Sequence, residues 1–390
     1  MNDRERFLAT MRYQPRDRAP ICDFGFWKET IPTWHEQGLP KKVRWGVTGK
    51  PNTTNEFFGM DVFDRALNVS TGICPVFEQK VLEDRGETRL VLQWDGAIVE
   101  ESTTHSTIPT HYGHTLVDRQ SWREHYAWRY DADDPKRYPT DWQEKKKEWQ
   151  TVDGRTEPLI IYGLSLFGRL RDYMGLENIA LVPYDDPAWF EEMVATQADC
   201  FIRVVKRLFD NGAVIDGCAM WEDMSYSGGP LLSPGHFKQF LVPHYKRVTD
   251  VLRSHGVDII WVDSDGKIDD LLPLWLEGGV NCMFPIEVGT WGADPVKYRK
   301  QYGKSLLMMG GFSKRILSGS KEGIRAEVLR LTPLVEEGGY IPFADHRVPP
   351  DVPLENYMYY LKCAREVWGK GVNLKPLGRV YAPKPIKAVG

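Results

Sequence analysis

From residue 159 onwards, short apolar runs alternate with longer amphipathic segments. The runs are rich in Val, Ile and Leu and read LIIYGLSLFG, GAVIDGCAMWEDM, VDIIWVDSDG, GVNCMFPIEV, SLLMMGGFS and GYIPFAD. A strand that is covered on both faces has an almost continuous apolar sequence, whereas a segment such as PAWFEEMVATQADCFIRVVKRLFDN has the period of an amphipathic helix. The alternation predicts parallel strands connected by helices, which is an α/β fold.

The N-terminal part extends the same pattern. NDRERFLATMRYQ predicts an amphipathic helix with Asn2 or Asp3 as its cap, and PICDFG predicts a short strand. With a further strand near residues 66–82, the chain has about eight β/α units, as a (β/α)8 TIM barrel requires. We therefore predict a single barrel domain over residues 1–390 with an N-terminal helical extension. The alternative is an open doubly wound sheet, but the sequence lacks the GxGxxG and GxxxxGK[ST] turns that mark such sheets.

An insertion is predicted between the helical extension and the regular pattern. VFEQKVLEDRGETRLVLQWDGAIVEE alternates with a period of about two around EDRGE, which predicts a hairpin. Residues from about 100 to 155 are polar and end in the charged helical stretch EKKKEWQ, as expected of a surface insertion. The segment HSTIPTHYGH contains His105, His111 and His114, which could chelate a metal, although histidines in such an insertion are more often plain surface residues.

Composition narrows the classes of function. Of the 390 residues, 42% are hydrophobic, and the formal net charge of -4 gives no reason to expect nucleic acid or an anionic membrane as a partner. No stretch is apolar over the length needed to span a bilayer, and the charged N-terminus lacks the apolar region of a signal peptide. The cysteines stand singly, without a CxxC pair, so we expect a cytoplasmic protein without a disulfide framework.

Charged side chains collect at the C-terminal ends of the predicted strands. They are Glu222, Asp223, Asp263, Asp265, Glu287, Asp345, His346 and Arg347. In a TIM barrel these ends share one mouth, where the active site lies, and so many carboxylates repel one another unless a cation is present. In an extended segment Asp263 and Asp265 point to the same side, like two ligands of one metal ion, and His346 offers a nitrogen ligand.

Simpler interpretations of these residues stay open. DSDG is also a good turn sequence, because Asp and Ser bond their own backbone and Gly takes a positive φ. The cation that balances the acids could be Arg347 or a cationic substrate instead of a metal. Arg169 and Arg171 follow another strand end, where they could hold an anionic substrate. Cys282 lies within a strand and is expected in the core.

Several segments, spread over nearly the whole chain, carry a family resemblance. They are RERFLATMRYQPRDRAPI, GMDVFD, WEDMSYSGGPLLSP, FLVPHYKRV, WVDSDG, GGVNCMFPIEV, GGFSKRIL and GGYIPFADHRVPPDVPLENY. As a set they resemble the uroporphyrinogen decarboxylase superfamily, and most closely its branch of cobalamin-dependent methyltransferases. The resemblance implies a (β/α)8 barrel whose mouth is the active site. It also implies that His346 in ADHRVPP corresponds to the family's C-terminal histidine motif.

The two activities of this superfamily do not carry over equally. True uroporphyrinogen decarboxylases have an N-terminal motif of the type RQAGRYLPEY, whose arginines hold the substrate's carboxylates, whereas ICDFGFWKETIPTW contains no arginine. The zinc methyltransferases use an H-x-C motif at one strand end and a later Cys, and the matching positions are Asp263-x-Asp265 and His346. The resemblance therefore implies a divalent metal, zinc in the first place, with oxygen and nitrogen ligands. It makes an O-methyl or N-methyl donor more plausible than a thiol acceptor.

The leading hypothesis is a methyltransferase that moves a methyl group between a small, methoxylated substrate and a corrinoid. The corrinoid would be carried by a partner protein, since this chain has no D-x-H-x-x-G segment. Asp263, Asp265 and His346 would hold the metal. The catalytic residues would be Glu222, Asp223 and His346, and the substrate-binding residues would be Arg169, Glu287, Asp345 and Arg347.

Two other classes of function compete with this hypothesis. The first is a cofactor-free decarboxylase that acts on an aromatic or pyrrolic carboxylic acid. The second is a non-catalytic, ligand-binding protein, because a fold does not fix a function. In each case a homodimer is expected only as the commonest arrangement of soluble chains.

Overall fold

The structure is a computed structural model, and it describes residues 1–47, 49–104 and 109–380. The chain separates into two compact units. The first unit consists of Met1–Arg65, Arg155–Pro158 and Cys282–Gly390, and the second of Ala66–Gly154 and Leu159–Asn281. The single domain over residues 1–390 stays a prediction.

The first unit is built on three parallel strands whose residues are all buried. The strands are Cys282–Ile286, Leu307–Phe312 and Tyr340–Ala344. Leu307–Phe312 pairs with both of the others, and Phe312 is in register with Ala344. Their burial on both faces explains the continuous apolar runs in the sequence, and it confirms that Cys282 is a core residue.

Helices surround these strands in the first unit. The helix predicted at the N-terminus is confirmed as Asp3–Met11, where Asn2 and Glu5 form a reciprocal capping box. The helix predicted from SKEGIRAEVLRLTPLVEEGG is confirmed as Lys321–Glu337. The other helices are Thr30–Glu36, Thr54–Phe58, Val288–Trp291, Pro295–Tyr302, the 3₁₀ turn Gly303–Ser305, Lys314–Leu317 and Leu354–Val367.

The segment PICDFG does not form the predicted strand. It is irregular, and only Phe26 just beyond it makes an isolated parallel bridge, with Val348. The backbone N–H of Ile21 donates to the Asp61 carboxylate at 2.9 Å, and the N–H of Phe24 donates to the Asp23 carboxylate at 2.8 Å. Because side chains satisfy these donors, the segment needs no ladder partner, and the prediction was wrong.

The second unit has its own parallel strands, Leu159–Leu164, Gly217–Trp221 and Ile260–Asp263. The middle strand pairs with both of the others, and Asp263 is in register with Trp221. The loops that follow these two strands therefore begin side by side. In both units parallel strands alternate with helices, which confirms the predicted α/β class.

Helices of the second unit follow each of these strands. The predicted helix PAWFEEMVATQADCFIRVVKRLFDN is confirmed as Pro187–Asp210. The predicted helix SPGHFKQFLVPHYKRVTDVLRSHG is Pro234–His236, the π-helix Phe237–Leu241 and Val242–Ser254. The remaining helices are Arg119–Ser121, the π-helix Trp122–Tyr126, the 3₁₀ turns Ala127–Tyr130 and Pro135–Arg137, and Trp142–Gln150, Gly168–Met174, Leu176–Asp185 and Leu272–Glu277.

A four-stranded antiparallel sheet also belongs to the second unit. Its strands run in the order Lys80–Asp84, Thr88–Leu92, Ala97–Ser102 and Thr110–His114. The first two form the hairpin that was predicted around EDRGE, the third lies in the same alternating segment, and Thr110–His114 was not predicted. The strand expected near residues 66–82 is reduced to Arg65–Ala66, because Lys80–Asp84 pairs within this antiparallel sheet. A small hairpin, Ser225–Tyr226 with Gly229–Pro230, completes the unit's strands.

Of the predicted surface insertion, about residues 100–155, the described residues up to Gly154 belong to the second unit and include buried side chains. Trp122 and Tyr126 are fully buried, and the charged stretch is confirmed as the helix Trp142–Gln150. His105 lies outside the described residues. Across the described ranges, none of the helices combines the length and the apolar character that crossing a bilayer requires.

Candidate functional site

Three carboxylates of the second unit form an acidic cluster where two neighbouring strands end. Asp223, Asp263 and Asp265 each place one side-chain oxygen within 4.8 Å of the other two. The register explains this arrangement, because Asp263 ends one strand opposite Trp221, which ends the other. The two loops begin at the same level, so the acids that follow the strands meet. Asp223 therefore joins Asp263 and Asp265, the pair of metal ligands that was predicted from DSDG.

Asp223 is held in an unusual conformation. Its φ is +40°, in the left-handed region that residues other than glycine rarely adopt. The guanidinium of Arg171 donates to its carbonyl oxygen, and the backbone N–H of Asp265 donates to its Oδ1 at 3.1 Å. Burial, followed by the charge of Asp265, raises the pKa of Asp223 to about 6. Such local strain is typical of functional positions.

Glycine at position 266 allows the two loops to approach. Gly266 has a φ of +90°, and a Cβ there would lie 2.5 Å from the carbonyl oxygen of Ser225. Just beyond, the backbone N–H of Lys267 donates to the carbonyl oxygen of Tyr226 at 3.1 Å. Only glycine fits so close to a neighbouring backbone. The Gly of DSDG is thus needed for the cluster as well as for the turn.

Glu222 has a different environment from its neighbour. It is fully buried, and its carboxylate accepts hydrogen bonds from the backbone N–H groups of Leu166, Phe167 and Gly168 at 2.8–2.9 Å. The hydroxyl of Tyr245 also donates to it. Burial raises the pKa of Glu222, and these bonds oppose the rise. The contacts favour a role in positioning the loop that follows Leu159–Leu164, and a catalytic role for Glu222 stays a prediction.

Two arginines and a tryptophan border the acidic cluster. The guanidinium groups of Arg169 and Arg171 lie 4.6 and 5.3 Å from the ring centre of Trp221, and both pair with Asp172, at 3.3 and 3.2 Å. Arg169 also lies 5.1 Å from the ring centre of Trp94. Substrate binding by Arg169 stays a prediction. The sequence analysis missed Trp221, although an aromatic residue directly before Glu222 at a strand end was a usable signal.

The predicted acids of the first unit are anchored by their own neighbours. Asp345 is fully buried and accepts hydrogen bonds from the backbone N–H groups of Gly289 and Lys314, at 2.5 and 2.9 Å. Burial raises the pKa of Asp345, and these bonds oppose the rise. Glu287 accepts a hydrogen bond from the indole of Trp291 and lies 3.6 Å from the ammonium group of Lys314. Their predicted contacts with substrate stay predictions.

His346 and Arg347 follow the last strand of the first unit and pack on aromatic rings. The ring of His346 stacks on Trp27 at 5.6 Å and meets the edge of Phe24 at 5.5 Å. The guanidinium of Arg347 lies 5.5 Å from the ring centre of Phe24. These two aromatic residues were not singled out in the sequence, because PICDFGFW was interpreted only as a strand. The predicted role of His346 as metal ligand and catalytic residue stays a prediction, as does substrate binding by Arg347.

A family model described as uroporphyrinogen decarboxylase (URO-D) matches residues 168–367, slightly more than half of the chain. The chain belongs to the uroporphyrinogen decarboxylase family. The match contains the acidic cluster and the strand ends of the first unit, so the predicted resemblance is confirmed on the segments that carry the candidate residues.

Curated members of the family are distant relatives. The chain is 24% identical over 202 residues to the uroporphyrinogen decarboxylase of Nostoc punctiforme, covering 52% of this chain and 54% of the relative. It is 22% identical over 192 residues to the chloroplastic uroporphyrinogen decarboxylase of Zea mays, covering 48% of this chain and 46% of the relative. The chain thus spans about half the length of the curated relatives that it matches.

The fold of this URO-D family member also resembles that of a methyltransferase from Methanosarcina mazei. The similarity covers 94% of this chain and 99% of that chain, with a TM-score of 0.61 and 15% sequence identity. It confirms the predicted fold class, the α/β barrel type with a helical N-terminus.

Proposed function

We propose that this family member is a methyltransferase that moves a methyl group between a small, methoxylated substrate and a corrinoid carried by a partner protein. The observation that carries the proposal is the acidic cluster, in which Asp223, Asp263 and Asp265 bring carboxylate oxygens within 4.8 Å of one another. Crowded carboxylates are stable together when a cation lies between them. The fold shared with a methyltransferase supports the same class of enzyme.

The donor set of the acidic cluster fits a divalent metal ion. Carboxylate oxygens are hard ligands that suit Mg²⁺ and Mn²⁺ and that also bind Zn²⁺, whereas the cluster offers no thiolate. Asp263 and Asp265 would hold the ion, and Asp223 would complete its ligands or orient the substrate. When bound, a divalent ion supplies Lewis-acid polarisation of a substrate oxygen. Zinc is the ion that the family resemblance favours.

The surrounding residues give the cluster its shape. The carboxylate of Glu222 accepts a hydrogen bond from Leu166 and so holds that loop at the strand end. The guanidinium of Arg171 donates to the carbonyl oxygen of Asp223 and so restricts its position. In the transfer, the O–CH₃ bond of the substrate would break, the partner's reduced corrinoid would supply the electron pair for the new bond to the methyl group, and the leaving oxygen would take up a proton. Trp221 provides an apolar wall beside the cluster. A homodimer and a cytoplasmic location stay predictions.

The first test is elemental analysis of the purified chain by plasma mass spectrometry. The wild type is compared with Asp263→Ala/Asp265→Ala and with a matched control from the same segment, Asp269→Ala/Asp270→Ala. We expect a stoichiometric divalent metal in the wild type and the control, and one equivalent less in the first variant. Demethylation of methoxylated aromatic compounds, with reduced cobalamin as acceptor, should be lost in parallel.

A cofactor-free decarboxylase is the second candidate, because the curated relatives are named uroporphyrinogen decarboxylase. It would act on an aromatic or pyrrolic carboxylic acid and would need no partner. An absence of metal from the wild type, together with decarboxylation that survives chelation, would replace the methyltransferase proposal with this one.

A further inference from the structure

A second cluster of chemically active side chains lies in the second unit, in a cavity of about 570 Å³. The cavity lies between the last strand of the antiparallel sheet and the start of the helix Leu176–Asp185. Its lining includes His111, His114, Asp172, Gly175 and Glu177. The proposed methyl transfer uses neither histidine.

A β-bulge brings the two histidines to one face of the sheet. His111 is in register with Val99, and His114 is in register with Ala97, so Tyr112 is an extra residue in the strand. Without the bulge, two residues three apart on a strand would point to opposite faces. With it, the imidazole rings lie 5.3 Å apart and nearly parallel, at 28°.

The imidazole of His114 is oriented like that of a metal ligand. Its Nδ1 lies 3.2 Å from the carbonyl oxygen of Asp172, which can only accept, so Nδ1 carries the proton and Nε2 keeps its lone pair. A ligating histidine normally donates its other ring N–H to such a carbonyl group.

A glycine packs closely against this imidazole, which lines the cavity. Gly175 has a φ of +83°, and a Cβ at this position would lie 2.6 Å from Nε2 of His114. Only glycine at this position lets the imidazole of His114 pack so closely against the backbone, and Glu177 lines the same cavity. Imidazole nitrogens are ligands that Zn²⁺, Ni²⁺ and Cu²⁺ prefer, and Glu177 is a carboxylate in the lining of the same cavity.

We propose that His111 and His114 bind a divalent transition-metal ion in this cavity, with oxygen from Glu177 or from water completing the coordination. This site is separate from the acidic cluster and holds a softer ion. A bound ion would also restrict the motion of Asp172, because His114 contacts its carbonyl oxygen and its side chain pairs with Arg171. Occupancy of the histidine pair would thereby stiffen the segment that supports Asp223.

The test uses Cu²⁺ as the probe, because its electron paramagnetic resonance spectrum distinguishes nitrogen from oxygen ligands. The full chain is stripped with a chelator and titrated in three forms: wild type, Asp263→Ala/Asp265→Ala and His111→Gln/His114→Gln. A fourth form, His236→Gln/His255→Gln, controls for other histidines. His111 is exposed, so the single variant His111→Gln gives a further arm in which folding is not at risk.

We expect one Cu²⁺ with nitrogen ligands in the wild type, in the acidic-cluster variant and in the histidine control, and its loss in His111→Gln/His114→Gln. His111→Gln alone should weaken binding by at least about tenfold. Binding that persists in the double variant, or a spectrum with only oxygen ligands, would overturn the proposal. The proposed metal site at the acidic cluster and the proposed site at the histidine pair are tested by different double variants, so either proposal can fail without the other.

Discussion

The backbone N–H of Asp265 donates to Oδ1 of Asp223 at 3.1 Å, which ties together two acids that follow neighbouring parallel strands. With Asp263, they place three carboxylates within 4.8 Å of one another. Without a cation, their mutual repulsion costs stability. The same relationship therefore predicts how the protein responds to metal ions, to substitution and to pH.

Divalent metal ions should stabilise the protein through the acidic cluster. An ion that binds only the folded chain adds about 2.7 kcal/mol when its free concentration is about 100-fold above Kd. The measurement is the thermal unfolding midpoint, followed with and without Mg²⁺ or Mn²⁺, which prefer the oxygen ligands of the cluster to the imidazoles of His111 and His114. We expect a rise of several degrees that disappears in Asp263→Ala/Asp265→Ala and remains in Asp269→Ala/Asp270→Ala. Equal rises in all three forms would argue against the cluster as the binding site.

Arg171 should matter more for the acidic cluster than Arg169 does. Both guanidinium groups contact Trp221 and Asp172, but only Arg171 donates to the carbonyl oxygen of Asp223. Lysine cannot reproduce this forked geometry. Arg171→Lys should weaken metal binding by roughly tenfold, about 1.4 kcal/mol, whereas Arg169→Lys should change it little. Calorimetric titration checks this, and similar losses in the two variants would contradict the role of the Asp223 contact.

Glu222 should be important for stability. Its removal leaves three backbone N–H groups buried without an acceptor, at Leu166, Phe167 and Gly168. Glu222→Ala should lower the free energy of unfolding by roughly 3–5 kcal/mol, whereas Glu222→Gln, which retains one acceptor oxygen, should lower it less. Urea denaturation provides the measurement, and Glu144→Ala on an exposed helical position provides the control. A loss of activity in Glu222→Gln without loss of stability would instead favour a catalytic role.

Asp23 should make stability depend on pH. Burial raises the pKa of Asp23 to about 7, opposed by a hydrogen bond of 2.8 Å from the hydroxyl of Tyr357. The folded state therefore holds this proton more tightly than the unfolded chain does. The resulting stabilisation is full below pH 4 and is lost as the pH rises through 7, at roughly 1 kcal/mol per pH unit at most.

The comparison of Asp23→Asn with the wild type tests this dependence. Between pH 5 and 8, the free energy of unfolding should fall less steeply with pH in the variant. Tyr357→Phe removes the hydrogen bond that stabilises the ionised carboxylate, so it should move the transition to higher pH. Parallel curves for the wild type and Asp23→Asn would show that Asp23 does not titrate in this range.

The sequence predicted most reliably the buried strands that are followed directly by acidic residues. Strands such as Ile260–Asp263 are covered on both faces, so their apolar runs mark them, and the acids that follow mark their ends. This is why Asp263 and Asp265 were found together. The register that adds Asp223 to them could be expected only because parallel strands end at a common edge.

Contacts between residues that are far apart in the sequence could not be predicted from it. PICDFG has the composition of a strand, but Asp61, about 40 residues later, takes the hydrogen bond of Ile21. Glu222 looked like another acid of the site, yet the loop of Leu166 surrounds its carboxylate. In both cases a side chain accepts hydrogen bonds from backbone N–H groups far away in the sequence. The local pattern of hydrophobic and polar residues does not predict such bonds.

The position of Trp221 gives the acidic cluster an optical property. Trp221 is in register with Asp263 and two residues before Asp223, so an ultraviolet absorber lies at the strand end that carries the three carboxylates. Terbium, like Ca²⁺, is a hard cation that takes oxygen ligands. Bound there, it would receive excitation energy from nearby indoles and emit green light, and Trp221→Phe would emit less. The strand end would thus act as an antenna through which occupancy of the cluster can be followed by fluorescence.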